Sequence, residues 1–250
     1  MTPYEYARLL ATPFLPALYS RVHRDLRRLC ASPGRARSEV PSLLDVGGRG
    51  SPYTVGLGAR VTVLDVPRES DVQATLKLGL SDDLLARLRS RRSNVDGVVV
   101  EDMCTCTLED ASFDGAVSVE VIEHVERDDL FVEQIARVLR PGGFAYFTTP
   151  NGDYVKNEPP NYNPDHVRHY LRAELEEVLL RHFDEVQVVY GVKTGIHRYR
   201  GLRSFDPRRP IQLAVSMASN VVSQLESRGL DGQSRRTAHL FAVARKAGSP

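Results

Sequence analysis

The sequence predicts an α/β fold, a mainly parallel seven-stranded sheet with helices on both faces and an N-terminal helical cap. Two observations carry most of that reading. From residue 42 onward, short apolar runs alternate with segments of helical period. One of those runs, Leu43-Leu44-Asp45-Val46, leads into the turn Gly47-Gly48-Arg49-Gly50, and the next run, Arg60-Val61-Thr62-Val63-Leu64-Asp65, ends on an acid. Buried strand, glycine turn, second strand and terminal acid is the order of a nucleotide site at the carboxyl ends of parallel strands. Glycines let the backbone come close to a ligand, and a carboxylate at the second strand end can accept both hydroxyls of a ribose. The sheet is therefore read as Rossmann-like, binding a cofactor that contains adenosine.

The elements follow in order. Residues 4–30 look helical, with Tyr19, Val22, Leu26 and Leu29 on one face and Arg21, Arg24, Arg27 and Arg28 around the rest. Pro13 and Pro16 break this segment in two. Residues 31–40 read as a polar linker, so 1–40 form a cap and linker and 41–250 the cofactor-binding domain. Strands are expected at 42–46, 60–65, 97–101, 113–119, 143–149, 185–190 and 237–246, and helices at 80–92, 127–139 and 171–182. Arg140-Pro141-Gly142-Gly143 should stop one helix and start a strand. Residues 191–236 interrupt the alternation as an insertion, with a helix near 210–227.

Composition narrows the function classes. A chain of 250 residues can bury one large core. A formal net charge of +1 gives no overall pull toward nucleic acid or an anionic membrane. Cys30, Cys104 and Cys106 make an odd count with no CxxC pair, which argues against a disulfide framework or a thiolate zinc site. The N-terminus lacks a basic segment followed by an apolar run, and no apolar run reaches membrane-spanning length. The expectation is a cytoplasmic protein with a small-molecule substrate, without nucleic-acid or membrane partners; the oligomeric state is not legible.

The nucleotide is not a dinucleotide on this reading. Tyr53 stands where the third glycine of GxGxxG belongs, and no GxxxxGK[ST] is present. Several further motifs occur in order: Glu101-Asp102-Met103, Ser112-Phe113-Asp114-Gly115, Glu120-Val121-Ile122-Glu123-His124, Leu139-Arg140-Pro141-Gly142-Gly143, Thr148-Thr149-Pro150-Asn151 and His166-Val167-Arg168-His169-Tyr170. Together with Asp45-Val46-Gly47-Gly48 and Asp65, they resemble the class I S-adenosylmethionine-dependent methyltransferases, and within them the group related to ubiquinone-biosynthesis O-methyltransferases. The resemblance spans roughly residues 43–183.

It implies that Asp45, Gly47 and Gly48 line the methionine end of S-adenosylmethionine and that Asp65, with Val66 beside it, holds the ribose. Asp102 and Met103 would recognise the adenine, and Glu120 would lie against the cofactor. Arg49 and Ser51 stand where the family has glycines, and Arg49 is a candidate partner for the cofactor's carboxylate. The stretch between Gly50 and Val61 has room for only a turn or two of helix. For Asp102 a helix cap, and for Met103 plain core, are the alternatives.

His124 follows the fourth strand, where the transferred methyl is expected, and imidazole is a suitable base for a hydroxyl nucleophile. The same segment has a second meaning. In the ubiquinone O-methyltransferases and in small-RNA 3′-terminal 2′-O-methyltransferases, a matching Glu-x-x-Glu-His binds a divalent cation. By that resemblance Glu120, Glu123, His124 and His166 would hold a cation such as magnesium. Asn151, Tyr154, Asn161, Tyr162, Asn163, His166 and His169 make residues 150–170 a polar, aromatic loop. The expected activity is methylation of a small-molecule hydroxyl. The alternatives are a metal-dependent methyltransferase of RNA 3′ ends and a non-catalytic binding protein of the same fold.

Overall fold

The computed structural model describes residues 1–31, 40–48, 52–66, 86, 88, 90–159, 162–203 and 206–248. Seven strands form one sheet in the order β3-β2-β1-β4-β5-β7-β6. They are β1 Ser42–Val46, β2 Arg60–Asp65, β3 Val95–Val100, β4 Phe113–Val119, β5 Leu139–Pro150, β6 Glu185–Lys193 and β7 Thr237–Arg245. Among the described strands β7 alone runs antiparallel, between β5 and β6. The order reverses at β1 and β4, and a crevice opens beyond the strand ends at such a switch point. β7 begins at that same edge, where His239 pairs with Pro150.

Side chains alternate across the sheet with the period of a strand. Leu43, Val61, Val63, Val117 and Tyr146 face one core, and Leu44, Leu64, Ala116, Ala145 and Phe147 face the other. The first core is closed by helix α2, Ala17–Cys30, through Val22 and Leu26, both fully buried. Each such side chain contributes about 1.5–3 kcal/mol. So α2 is a layer of the domain as well as a cap. The second core is closed by α3, Asp128–Val138, and α4, Arg172–Leu180.

Helix α1, Pro3–Ala11, starts at a Thr2–Glu5 capping box. The Glu5 carboxylate also accepts from Ser93 N at 2.8 Å and Ser93 Oγ at 2.7 Å, which ties the helix to the approach of β3. Between β6 and β7 lie α5, Ile196–Gly201, and α6, Pro210–Glu226. Inward-facing polar groups of α6 grip loop carbonyls. Asn220 donates to Phe14 O at 2.9 Å and Gly201 O at 3.1 Å, and Gln224 donates to Leu15 O at 2.7 Å. The N-terminal segment and the β6–β7 segment are thereby joined.

Most element boundaries fall within three residues of the sequence expectation. The expected turn at 140–143 lies inside β5 instead. There the β4–β5 register slips between Phe113 and Gly115, and Gly142 takes a positive φ of 75°. The expected helix at 80–92 falls largely outside the described residues, of which 86, 88, 90 and 91 are helical. The stretch after Pro52 is a turn at 53–56, with no helix among its described residues.

Candidate functional site

The turn after β1 is built for glycine. Gly47 has φ +71°, and a Cβ there would lie 2.5 Å from Val121 Cγ2. A Cβ on Gly48 would lie 2.4 Å from Asp45 Cγ. The turn is therefore folded tightly against the end of β1 and against residue 121, with Gly47 N donating to Leu64 O at 2.8 Å.

Asp45 braces this turn from inside. Its carboxylate is buried and accepts from Thr54 Oγ1 at 2.6 Å. Thr54 Oγ1 in turn accepts from Arg92 Nη2 at 2.6 Å. Burial lowers the Arg92 pKa, and Asp45 opposes that shift. Asp65 ends β2 half-buried, and its Oδ1 accepts from Val66 N at 2.9 Å. Val66 is exposed at the strand end. Arg49 and Ser51 lie outside the described residues.

Asp102 caps a 3-10 turn at Met103–Thr105, accepting from Cys104 N at 2.8 Å, and Met103 is 2% exposed within the core. The cap and core alternatives are thus what these two side chains show. A capping aspartate at the end of β3 still stands on the same edge as Asp65.

Glu120 sits just past β4 with φ +55°, a left-handed conformation unusual outside glycine. Hydrogen bonds hold it there. Thr148 Oγ1 donates to Glu120 Oε1 at 2.8 Å, and His239 Nδ1 lies 3.1 Å from the same carboxylate. Arg198 Nη2 donates to His239 Nε2 at 3.3 Å. Burial pushes the Glu120 pKa up, but His239, Thr148 and Arg198 outweigh it and the net shift is downward. Glu123 goes the other way. It is 1% exposed, its Oε2 has no hydrogen-bond partner among the described residues, and burial together with the charge of Glu120 raises its pKa well above the usual carboxylate range.

Beside Glu123 the rings of His124, His166 and His169 come together, with tautomers set by carbonyls. His169 Nδ1 lies 2.8 Å from Val155 O, so it must donate. That leaves His169 Nε2 to accept, and His166 Nδ1 donates to it at 2.7 Å. His124 Nδ1 donates to Asp165 O at 2.8 Å. In the neutral rings, Nε2 of both His124 and His166 therefore carries a lone pair. Burial, and next the neighbouring His124 and His169, lower the His166 pKa to about 4 and keep it neutral. The rings of His124 and His166 meet edge to face at 4.7 Å. One ligand atom each from Glu123, His124 and His166 lies within 4.8 Å of the others. Glu120, expected in that group, is turned away to Thr148 and His239.

The loop at 150–170 divides by role. Asn151 is buried and donates to Ser234 O at 3.0 Å and Thr237 O at 3.1 Å, pinning β5 to β7. Asn163 caps its own turn, accepting from Asp165 N at 3.0 Å. Tyr154 and Tyr162 are exposed, and Asn161 lies outside the described residues. The sequence reading missed Thr54, Arg92, Thr148, Arg198 and His239. It also missed the pair Tyr19–Tyr53, whose rings stack at 4.6 Å. Tyr53 is half-buried, and burial first, then Tyr19 and Glu120, raise its pKa.

Residues 44–147 match a family model described as a methyltransferase domain. A probable S-adenosylmethionine-dependent methyltransferase of Mycolicibacterium smegmatis is 34% identical over 154 residues, covering 61% of this chain and 56% of that protein. A ubiquinone biosynthesis O-methyltransferase of Paraburkholderia phymatum is 31% identical over 151 residues, covering 53% of this chain and 60% of that protein. The chain thus spans little more than half the length of these curated relatives. A solved SAM-dependent methyltransferase from Archaeoglobus fulgidus superposes with a TM-score of 0.57 at 15% identity, over 91% of this chain and 92% of that one, which shows the shared fold. With the motifs in order, the glycine turn at β1 and the sheet order above, these matches make the chain similar to the class I S-adenosylmethionine-dependent methyltransferases, with residues 44–147 matching their methyltransferase domain.

Proposed function

We propose that this protein transfers the methyl group of S-adenosylmethionine to a hydroxyl of a small molecule. The observation that carries the reading is the His124 ring, fixed by its Nδ1–H to Asp165 O with a basic Nε2 beyond the end of β4. Bound S-adenosylmethionine would supply an electrophilic methyl on a sulfonium, and the reaction needs mainly alignment and removal of one proton. The residues fit such a cofactor. The Gly47-Gly48 turn offers close backbone approach, Asp65 ends the adjacent strand, and ionised Glu120 lies at the same edge. Asp65 would accept from the ribose hydroxyls, and Asp102 from the adenine amino group through the oxygen it does not use as a cap. Arg49, as the sequence suggests, would pair with the cofactor's carboxylate. His124 Nε2 would take the proton from the acceptor hydroxyl. Cys30, Cys104 and Cys106 form no disulfide among the described residues, which fits a cytoplasmic setting.

A second reading is favoured by the buried Glu123 Oε2, unpartnered among the described residues. Glu123, His124 and His166 would hold a divalent cation, with Asp165 O orienting His124 and with His169, itself held by Val155 O, orienting His166. A cation there would acidify the acceptor hydroxyl. On this reading His124 is a ligand rather than a base, and an RNA 3′ end becomes an admissible acceptor. The near-neutral net charge favours the small molecule.

Formation of S-adenosylhomocysteine against a panel of phenols and alcohols, with and without chelator, separates the readings. As a base, His124→Ala should cost roughly 10²-fold or more in turnover, with chelator inert. As a ligand, chelator alone should abolish activity and a divalent ion restore it. Full activity of the folded variant in chelator would remove both roles.

A further inference from the structure

Helix α6 is amphipathic the wrong way round. Between Pro210 and Leu225 no residue is charged, in a chain where 26% are. Its buried residues are Ser216, Ser219, Asn220 and Ser223. Leu213, Met217, Val221 and Val222 are half-buried, while three other large apolar residues face outward, Ile211 at 80% exposed, Val215 at 47% and Leu225 at 50%. These three lie on one stripe of the helix, spaced by four and then ten residues. Next to it in the chain, Tyr199 of helix α5 is 61% exposed and Leu202 beyond its end is 51% exposed. The two helices are joined, because Ser216 Oγ donates to Arg200 O at 3.1 Å and Asn220 to Gly201 O.

Cations border this surface. Arg200, Arg203, Arg208 and Arg209 are all exposed, and Asp206 is the one acid between residues 200 and 215. The expectation of no membrane partner rests on a net charge of +1 for the whole chain, and this segment departs from that balance.

We propose that the α5–α6 face docks on the surface of an anionic lipid bilayer. Exposed Ile, Val, Leu and Tyr side chains can enter the headgroup boundary, while arginines pair with phosphates. Charge selects this occupant over a second copy of the chain. A self-interface would bring four arginines and one aspartate against the same set, whereas anionic headgroups complement them. The attachment is peripheral, since no helix among the described residues is long and apolar enough to cross a membrane. The docking does not depend on the reaction. Its position does bear on access, because α5 also sends Arg198 inward to His239, which holds Glu120. A bilayer there would lie beside the edge that carries the candidate site.

Flotation of the full chain with phosphatidylcholine vesicles, with and without phosphatidylglycerol, tests this. The chain should float roughly fivefold or more in excess with the anionic vesicles, and high salt should release it. The pairs Arg208→Glu with Arg209→Glu, and Ile211→Glu with Val215→Glu, should each abolish flotation. Circular dichroism and S-adenosylhomocysteine affinity should stay unchanged, because all four side chains are exposed. Equal flotation of the variants, or none by the wild type, would overturn the proposal. So would light scattering that shows a dimer dissociated by Ile211→Glu, which would assign the face to a second copy.

Discussion

A glycine is the most exacting residue in the site. At Gly48 an added methyl would sit 2.4 Å from the Asp45 carboxylate carbon, so Gly48→Ala must displace the turn or the acid. The expected outcome is a loss of cofactor affinity larger than the loss of stability, read by calorimetry and thermal unfolding side by side. Thr54 is the converse case. It links Arg92 to Asp45, and Thr54→Val removes one hydrogen bond from each of these buried groups. That should cost about 1–3 kcal/mol of unfolding free energy, measured in urea. An unchanged midpoint would show that the relay contributes nothing. Gly48 was legible in the sequence because its constraint is local, three residues from Asp45. The relay was not, since Arg92 is 38 residues from Thr54 and no short spacing announces it. The same holds for His239, which sits in an apolar strand 119 residues from the Glu120 it holds.

At the scale of elements, the strands were legible because their period is two and their ends carry punctuation. The β4–β5 register slip was not, because Arg140-Pro141-Gly142-Gly143 reads as a turn whether or not pairing continues through it. Helix α6 was placed but its orientation was not, since the face it buries is the polar one. Asn220 is the residue that orients it. Asn220→Ala frees the carbonyls of Phe14 and Gly201, and hydrogen exchange should quicken in residues 12–16 and in α5 together. Exchange that quickens in only one of them would break the proposed coupling. Helix α2 carries its own pH dependence. His23 is 9% exposed, with Nε2–H donating to Val55 O at 3.2 Å. Burial, partly offset by that hydrogen bond, lowers its pKa, as do Arg27 and Arg8. The unfolded chain therefore takes up this proton first. Stability from His23 is full above about pH 6.5 and is lost as the pH falls toward the depressed folded value. His23→Gln should flatten that acid limb of the unfolding midpoint.

For the whole molecule, the order of motifs along the chain becomes an arrangement in space at one edge. Gly47, Asp65 and Asp102 stand at the ends of β1, β2 and β3, Glu120 and His124 both follow β4, and parallel strands in a reversing order bring those ends together. That much could be read from sequence, since motif order and sheet topology determine each other. The acceptor could not, because the surfaces that would choose it come from α2, α5 and the loop after β5, which carry no shared spacing. Cofactor binding should slow hydrogen exchange in both the N-terminal helices and the α5–α6 segment if these close over the edge. The most direct test of the account is a calorimetric titration with S-adenosylhomocysteine, comparing the wild type with Asp65→Ala. The wild type should bind one equivalent, and the folded variant should bind at least about fivefold more weakly, as expected for losing a hydrogen bond of roughly 1 kcal/mol or more. No binding by the wild type, or equal affinity in a folded Asp65→Ala, would contradict it.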